Sequence, residues 1–271
     1  MIDNVVVIRG GGDIATGISH KLYRSGFKIL ILEIEKPTMV RRTVSFASAV
    51  FDGETVVEGV KSVKAYNTKD IYDIWNNHQI PVIVDPKCEI IDEMKVDILV
   101  DATLAKRNLG MNRKMAPITI GVGPGFDAGQ DVDVVVETSR GHDLGKLIFK
   151  GYAEADTGIP GKILGYGKER VLRAPCHGTI NNLSDIGDTI KKDQIVAYVE
   201  AEPVKATING ILRGIIINDS KVKKGLKIAD IDPREIKEYC FTISDKARSV
   251  AGGVLEAILY MKNIRHLQKN N

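Results

Sequence analysis

The stretch NVVVIRGGGDIATGIS, residues 4–19, decides how the first half of the chain is read. Residues 4–8 are a short β-branched run, the composition of a strand buried on both faces. Glycines follow within two residues, and Gly10, Gly12 and Ala15 fit the G-x-G-x-x-A form of the dinucleotide fingerprint. Gly10 permits the tight turn out of the strand. Gly12 has no Cβ, so a pyrophosphate can approach the backbone, and Ala15 with Gly17 lets the next helix lie close to a sheet. Ile14, Ile18 and Leu22 recur on one face of that helix, and its first amides point at the expected anion. Gly10, Gly11, Gly12, Asp13, Ile14 and Ala15 are therefore candidate cofactor-binding residues.

Outward from this loop the same pattern continues. A second strand, KILILEI, starts at Lys28 and carries Glu33 near its end, 21 residues after Gly12, where a carboxylate can take the ribose hydroxyls of an adenine nucleotide. The acid favours NAD over NADP, although Arg41 and Arg42 follow closely and could hold an extra phosphate. A helix, TKDIYDIWNNH, leads into the strand IPVIVD (80–85), and VDILVDAT (96–103) reads as a further buried strand. Asp101 and Thr103 fall at its carboxyl end, where open α/β sheets bind ligands, and join the cofactor-binding candidates. Lys106 and Arg107 either border that cleft or decorate a loop. Gly121, Gly123 and Gly125 either form an anion nest or turn the chain around Pro124. In ETSRGHDLGKLI (137–148), Arg140 and His142 occupy a polar turn between strands and are catalytic candidates. Residues 1–168 are thus expected to form a Rossmann-like parallel sheet with a β extension; a sheet that keeps its glycines only for packing is the alternative.

Beyond residue 168 the periodicity shortens to strands and turns. RAPCHGTI (173–180) aligns with KATINGIL (205–212), and IKKDQIVAYV (190–199) with VKKGLKIADI (222–231), all at one offset of 32 residues. Ala174, Gly178, Lys191, Lys192 and Ala197 correspond to Ala206, Gly210, Lys223, Lys224 and Ala229. Two such units, each burying one face, should pair about a pseudo-twofold axis. Residues 169–232 resemble the all-β barrel-sandwich of biotinyl and lipoyl carrier domains. The resemblance departs at the hairpin tip, where Pro203 and a short turn replace the projecting lysine and Lys205 aligns with Arg173, so neither biotin nor lipoate is expected. Residues 233–271 should end the α/β chain as a helical segment, with Ser244 as N-cap and Ala247, Val250, Val254, Ile258 and Met261 along one side. Gly252 and Gly253 each cost about 1 kcal/mol in mid-helix, so a packed helix or a ligand must approach the backbone there.

At 271 residues the chain is near the size where one core divides into domains. A net charge of +3 is too small to imply nucleic acid or membrane as a partner. Cys88, Cys176 and Cys240 make neither a disulfide framework nor a zinc pattern, so no metal is expected. With no long apolar run and no signal-like start, a cytoplasmic, reduced protein is expected, and a homo-oligomer is compatible with this.

Taken together, RGGGDIATGIS, VRRTVSFASAVFDG, DATLAKRN, GVGPGF, ETSRGHDLG, TGIPG and YCFTISDKARSVAGGVLEA resemble the YqeB-type accessory proteins of selenium-dependent molybdenum hydroxylases. The resemblance runs from about residue 4 to about residue 260, and the N-terminal part is also similar to the Rossmann portion of the XdhC/CoxI maturation factors. It implies a role in maturing such a hydroxylase, as its partner or through its maturation machinery, with a nucleotide such as NAD(P) or a molybdopterin-type cofactor as ligand. It carries over no catalytic residues. Cys240, inside the YCFTISDKAR string, is the thiol to examine for a selenium or sulfur relay, which would need an accessible thiolate. An NAD(P)-dependent oxidoreductase and a non-catalytic scaffold remain open as alternatives.

Overall fold

The computed structural model describes residues 2–269. By internal contacts the chain forms two units: one holds the residues up to Pro37, Phe46–Asp156 and those from Ile243 onward, the other Thr38–Ser45 and Thr157–Thr242. These boundaries differ from those at 168/169 and 232/233 expected from composition. The C-terminal helix joins the first unit because its apolar stripe packs there, and Thr38–Ser45 leaves it for the second.

The first unit is mixed α/β. Its strands are β1 (Ile2–Arg9), β2 (Phe27–Glu33), β3 (Glu54–Val57), β4 (Val60–Ala65), β5 (Ile80–Val84), β6 (Ile98–Asp101), β7 (Ile118–Val122), β8 (Val134–Val136) and β9 (Leu147–Ile148). They form one sheet in the order β3-β4-β5-β2-β1-β6-β7-β8-β9. β4 through β8 pair in parallel, and only β3 and β9, at the two edges, run antiparallel to their neighbours. The β-branched runs are buried as their composition requires: Val6, Val7, Ile8, Ile98, Leu99 and Val100 are all 0% exposed.

The helices of this unit are α1 (Asp13–Arg24), the single turn α2 (Ala49–Asp52), α3 (Thr68–Asn76) and α4 (Asp245–Lys269). Asn67 caps α3 by accepting the Asp70 amide. Ile71, Ile74 and Trp75 of α3 share a core with Val7, Leu30, Leu32 and Leu99. Each such fully buried side chain contributes roughly 1.5–3 kcal/mol. Ser244 accepts the Ala247 amide at 3.2 Å, as an N-cap should. From there α4 buries Ala247, Val250, Val254 and Ile258 and lies along α1. Packing explains two glycines, Gly17 against α4 and Gly253 on the side of α4 that meets Gly145. A Cβ on Gly17 would stand 2.8 Å from that of Ala247, and one on Gly253 would stand 2.3 Å from the Gly145 carbonyl oxygen.

The second unit is antiparallel. Its strands are β10 (Val171–Arg173), β11 (Gly178–Asn182), β12 (Thr189–Ile190), β13 (Ile195–Val199), β14 (Glu202–Lys205), β15 (Gly210–Ile215), β16 (Lys221–Val222) and β17 (Lys227–Asp232). One sheet has the order β10-β17-β15-β12 and the other β14-β13-β11-β16. The 32-residue offset maps β10–β13 onto β14–β17 and so exchanges the two sheets strand for strand. Even the strained positions match, with φ +156° at Gly178 and +154° at Gly210. Ile180, Val196 and Val199 from one half share a core with Leu212, Ile228 and Ile231 from the other. A buried chain of ion pairs breaks the symmetry: Arg170–Asp230 at 3.0 Å, Asp230–Arg213 at 2.9 Å, Arg213–Asp232 at 3.3 Å and Asp232–Arg234 at 2.6 Å. The offset positions of Arg213, Asp230 and Asp232 hold Asn181, Tyr198 and Glu200, which cannot repeat it.

Candidate functional site

Strand order places the glycine loop. The chain builds outward from β1 to β2 and β5, then returns to the other side of β1 with β6. The loops leaving β1 and β6 therefore diverge from adjacent strands and leave a crevice at their carboxyl ends. Gly10 sits at the divergence with φ +92°, its Cα facing the Ala102 carbonyl and the Thr103 backbone, which a Cβ would meet at 3.1–3.2 Å. Gly11 is covered: its carbonyl accepts the Ala47 amide at 2.9 Å, and a Cβ would meet that nitrogen at 2.9 Å. Gly12 is different. It precedes α1 with φ −66° and ψ −176°, no side chain caps the helix there, and no heavy atom lies within 4 Å of where its Cβ would stand.

The carboxylate expected to take a ribose is partly committed. Glu33 accepts the Gly11 amide at 2.8 Å through Oε1 and the Ile34 amide at 2.8 Å through Oε2. Burial holds its carboxyl above the ordinary range, and the two amides pull the other way. Asp101 is wholly buried. One oxygen accepts Arg9 at 2.9 Å, and the other accepts the Thr103 amide at 3.1 Å and hydroxyl at 2.7 Å. It is a positioning residue for the turn beneath Gly10 rather than a ligand contact. Ile14 and Ala15 point into the core at 6% and 1% exposure, so only their backbone can serve a ligand.

The other candidates are placed as follows. Arg140 makes a two-point ion pair with Asp245, both distances 2.8 Å, at the start of α4. His142 is exposed. Gly125 packs against the backbone of Arg107, and Gly123 against Thr138, so both shape the chain rather than nest an anion. Arg41 is buried and donates to the carbonyls of Tyr239 and Thr242, while Arg42 donates to the Ile215 carbonyl and to Asp185. Those guanidinium groups are occupied within the second unit, against the expectation that they could hold a nucleotide phosphate. Cys240 is 0% exposed, and burial raises its thiol pKa. That is the opposite of what a relay thiolate needs. Cys88 is buried too and pushed up to about 11.

Two features of this edge escaped the sequence. The small residues of Phe46–Ala49 lie over the loop, with the Phe46 amide donating to the Thr16 hydroxyl at 2.8 Å and that hydroxyl donating to the Gly11 carbonyl at 3.1 Å. The second is Lys246. Burial holds its amine below the ordinary lysine range, Arg140 adds to this, and Asp13, Asp156 and Glu137 oppose it. A cation in the first turn of a helix runs against the macrodipole, and that mismatch is the signal in SDKAR that points to it. Among the described residues no group of three or more side chains could hold a metal ion, and no helix is long and apolar enough to cross a membrane.

No protein-family model matches the chain. Over 257 residues it is 47% identical to the "Uncharacterized protein YqeB" of Escherichia coli (strain K12), an alignment covering 95% of this chain and 48% of that protein. The chain is a homologue of YqeB. It spans about half the length of that relative. Among solved structures it is similar to the product-bound ectoine utilization protein EutE (DoeB) from Ruegeria pomeroyi, at 12% identity and a TM-score of 0.26 over 84% of both chains. An aspartoacylase family protein from Mesorhizobium loti gives 10% identity and the same TM-score, again over 84% of both chains.

Proposed function

We propose that this YqeB homologue is an accessory factor in the maturation of a selenium-dependent molybdenum hydroxylase, and that its first unit is a Rossmann-type module binding a nucleotide or molybdopterin-type ligand through its phosphates. The observation that carries the binding half is the open space over Gly12 at the divergence of β1 and β6. With β4 set aside, the parallel strands β5-β2-β1-β6-β7-β8 run 3-2-1-4-5-6 in chain order, as in dinucleotide-binding sheets; β4 adds a seventh parallel strand beyond β5. Uncapped α1 amides and an open Gly12 suit a pyrophosphate. The maturation half rests on the resemblance of the sequence strings alone.

The second unit is, in the same proposal, a carrier-like barrel without a carrier's attachment point. Its β13–β14 turn is only Glu200-Ala201, too short to project a swinging arm. Calorimetry of the purified chain with NAD, NADP, ATP and CTP tests the binding half. No binding to any of them, with none co-purifying, would leave a scaffold instead. Deleting the gene from a host that makes such a hydroxylase tests the role, and a fully active, seleniated hydroxylase in the deletion strain would refute it.

A further inference from the structure

A second cavity in the first unit, of about 240 Å³, lies along the contact of α1 with the start of α4. Its polar lining is His20, Lys21, Arg24 and Ser25 from α1 and its cap, and Arg248 from α4. Ile243 is the one large apolar side chain in its wall, and the only ring there is the His20 imidazole.

Three cations thus face one small space. Glu58 is the carboxylate bonded to this lining: it accepts Arg248 at 2.6 Å and the Ile243 amide at 2.8 Å. Burial would raise the Glu58 pKa, but these hydrogen bonds and the Arg248 charge pull it down, so it stays ionised. It neutralises about one of the three positive charges. Lys21 and Arg24 have no ion-pair partner among the described residues. Burial lowers the His20 pKa, so near neutral pH its ring offers a hydrogen-bonding group and not a fourth charge.

Cations in the last turn of a helix often serve only its dipole. That need is already met here. The Ser25 amide and hydroxyl both donate to the Lys21 carbonyl, at 3.0 and 2.9 Å, and the Gly26 amide donates to the Tyr23 carbonyl at 2.9 Å. Arg248 comes from a different helix altogether, and the Lys21 ammonium reaches across to α4, 3.6 Å from where a Cβ on Gly252 would stand. Cations from two elements converging on one concave space are a recognition arrangement for a compact polyanion.

We propose that this cavity is a second anion site, separate from the glycine loop, that takes a phosphoryl group, free or as the head of a small phosphomonoester. Its polar wall, with no Phe, Tyr or Trp to stack on, suits the phosphoryl group rather than a base.

The test is calorimetry on the full chain at low ionic strength with inorganic phosphate and, separately, glycerol 3-phosphate. The double variant K21A/R24A removes two cations from outside the apolar core and should weaken phosphate binding at least tenfold. E58Q keeps an acceptor for Arg248 but removes the competing charge, and should tighten binding severalfold. G12V should leave phosphate binding here unchanged. Equal affinity for both probes assigns the site to free phosphate, and a tighter ester assigns the remaining volume to its organic part. The proposal is overturned if the wild-type chain does not bind phosphate at millimolar concentration, if K21A/R24A binds as wild type, or if G12V alone abolishes binding.

Discussion

Replacing Gly12 by valine separates binding from folding at the glycine loop. The backbone there, φ −66° and ψ −176°, is ordinary extended geometry open to any residue, and a Cβ meets nothing within 4 Å. Losing a glycine restricts the unfolded chain, worth about 0.4–1 kcal/mol in favour of the fold. Valine is a poor residue ahead of a helix, a cost of up to about 1 kcal/mol. The two nearly cancel, so the melting temperature should move by no more than a few degrees. Binding should respond very differently. A phosphate held by two backbone amides draws on charge-assisted hydrogen bonds of roughly 1.5–3 kcal/mol each. Valine methyls over those amides should remove most of that, at least about 3 kcal/mol, or more than a hundredfold in affinity. Gly11→Ala is the contrasting control, because its Cβ would press on the Ala47 backbone nitrogen at 2.9 Å. It should destabilise by about 1–3 kcal/mol. Thermal melts and titration with whichever nucleotide the wild type binds give both readouts. Nucleotide affinity unchanged within threefold in G12V would place the ligand elsewhere, and a melting loss equal to that of G11A would show that the space over Gly12 is not open.

Four further outcomes are expected. Because burial raises the Glu33 pKa, the carboxyl favours the fold while protonated, and that contribution is lost as pH rises from about 4.3, its unfolded value, through the folded one; the melting temperature of E33Q relative to wild type should therefore climb over that interval, and a flat difference from pH 4 to 8 would sink the argument. Neighbouring glycines of α4 should behave oppositely: Gly252→Ala, which meets only the end of Lys21, should stabilise by up to about 1 kcal/mol, whereas Gly253→Ala, 2.3 Å from the Gly145 carbonyl, should cost more than 2 kcal/mol; similar denaturant midpoints for the two would contradict this. Under native conditions a maleimide should modify the half-buried Cys176 first and spare Cys88 and Cys240 until the chain unfolds; rapid labelling of Cys240 by mass spectrometry would reopen the relay. Finally, residues 169–232 expressed alone should fold as a strand-rich fragment, since both repeats contribute to one core; a disordered fragment by circular dichroism would show that the two repeats do not suffice without the rest of the unit, Thr38–Ser45 and the flanks out to Thr157 and Thr242.

What the sequence determined by itself is what local chemistry determines. Val5–Ile8 must be a strand and Ile14, Ile18 and Leu22 must face a core, because period and β-branching act within a few residues. The 32-residue repeat was legible because two copies of one strand pattern bury faces in the same way, and the sheets exchange strands as that symmetry requires. Tertiary structure alone decided which polar groups remained available. Asp101 and Glu33 occupy positions where ligands are commonly held, but neighbours distant in sequence, Arg9 for one and the Gly11 amide for the other, take up their oxygens. Cys240 lies in a string rich in polar residues yet ends fully buried, and Arg41 and Arg42 turn to carbonyls 173 to 201 residues along the chain. Lys246 and Asp13 are brought within electrostatic reach only when α4 settles on α1. The physical reason is common to all: hydrogen bonds and desolvation depend on what lies within a few ångströms, and long-range folding, not spacing along the chain, brings those groups together.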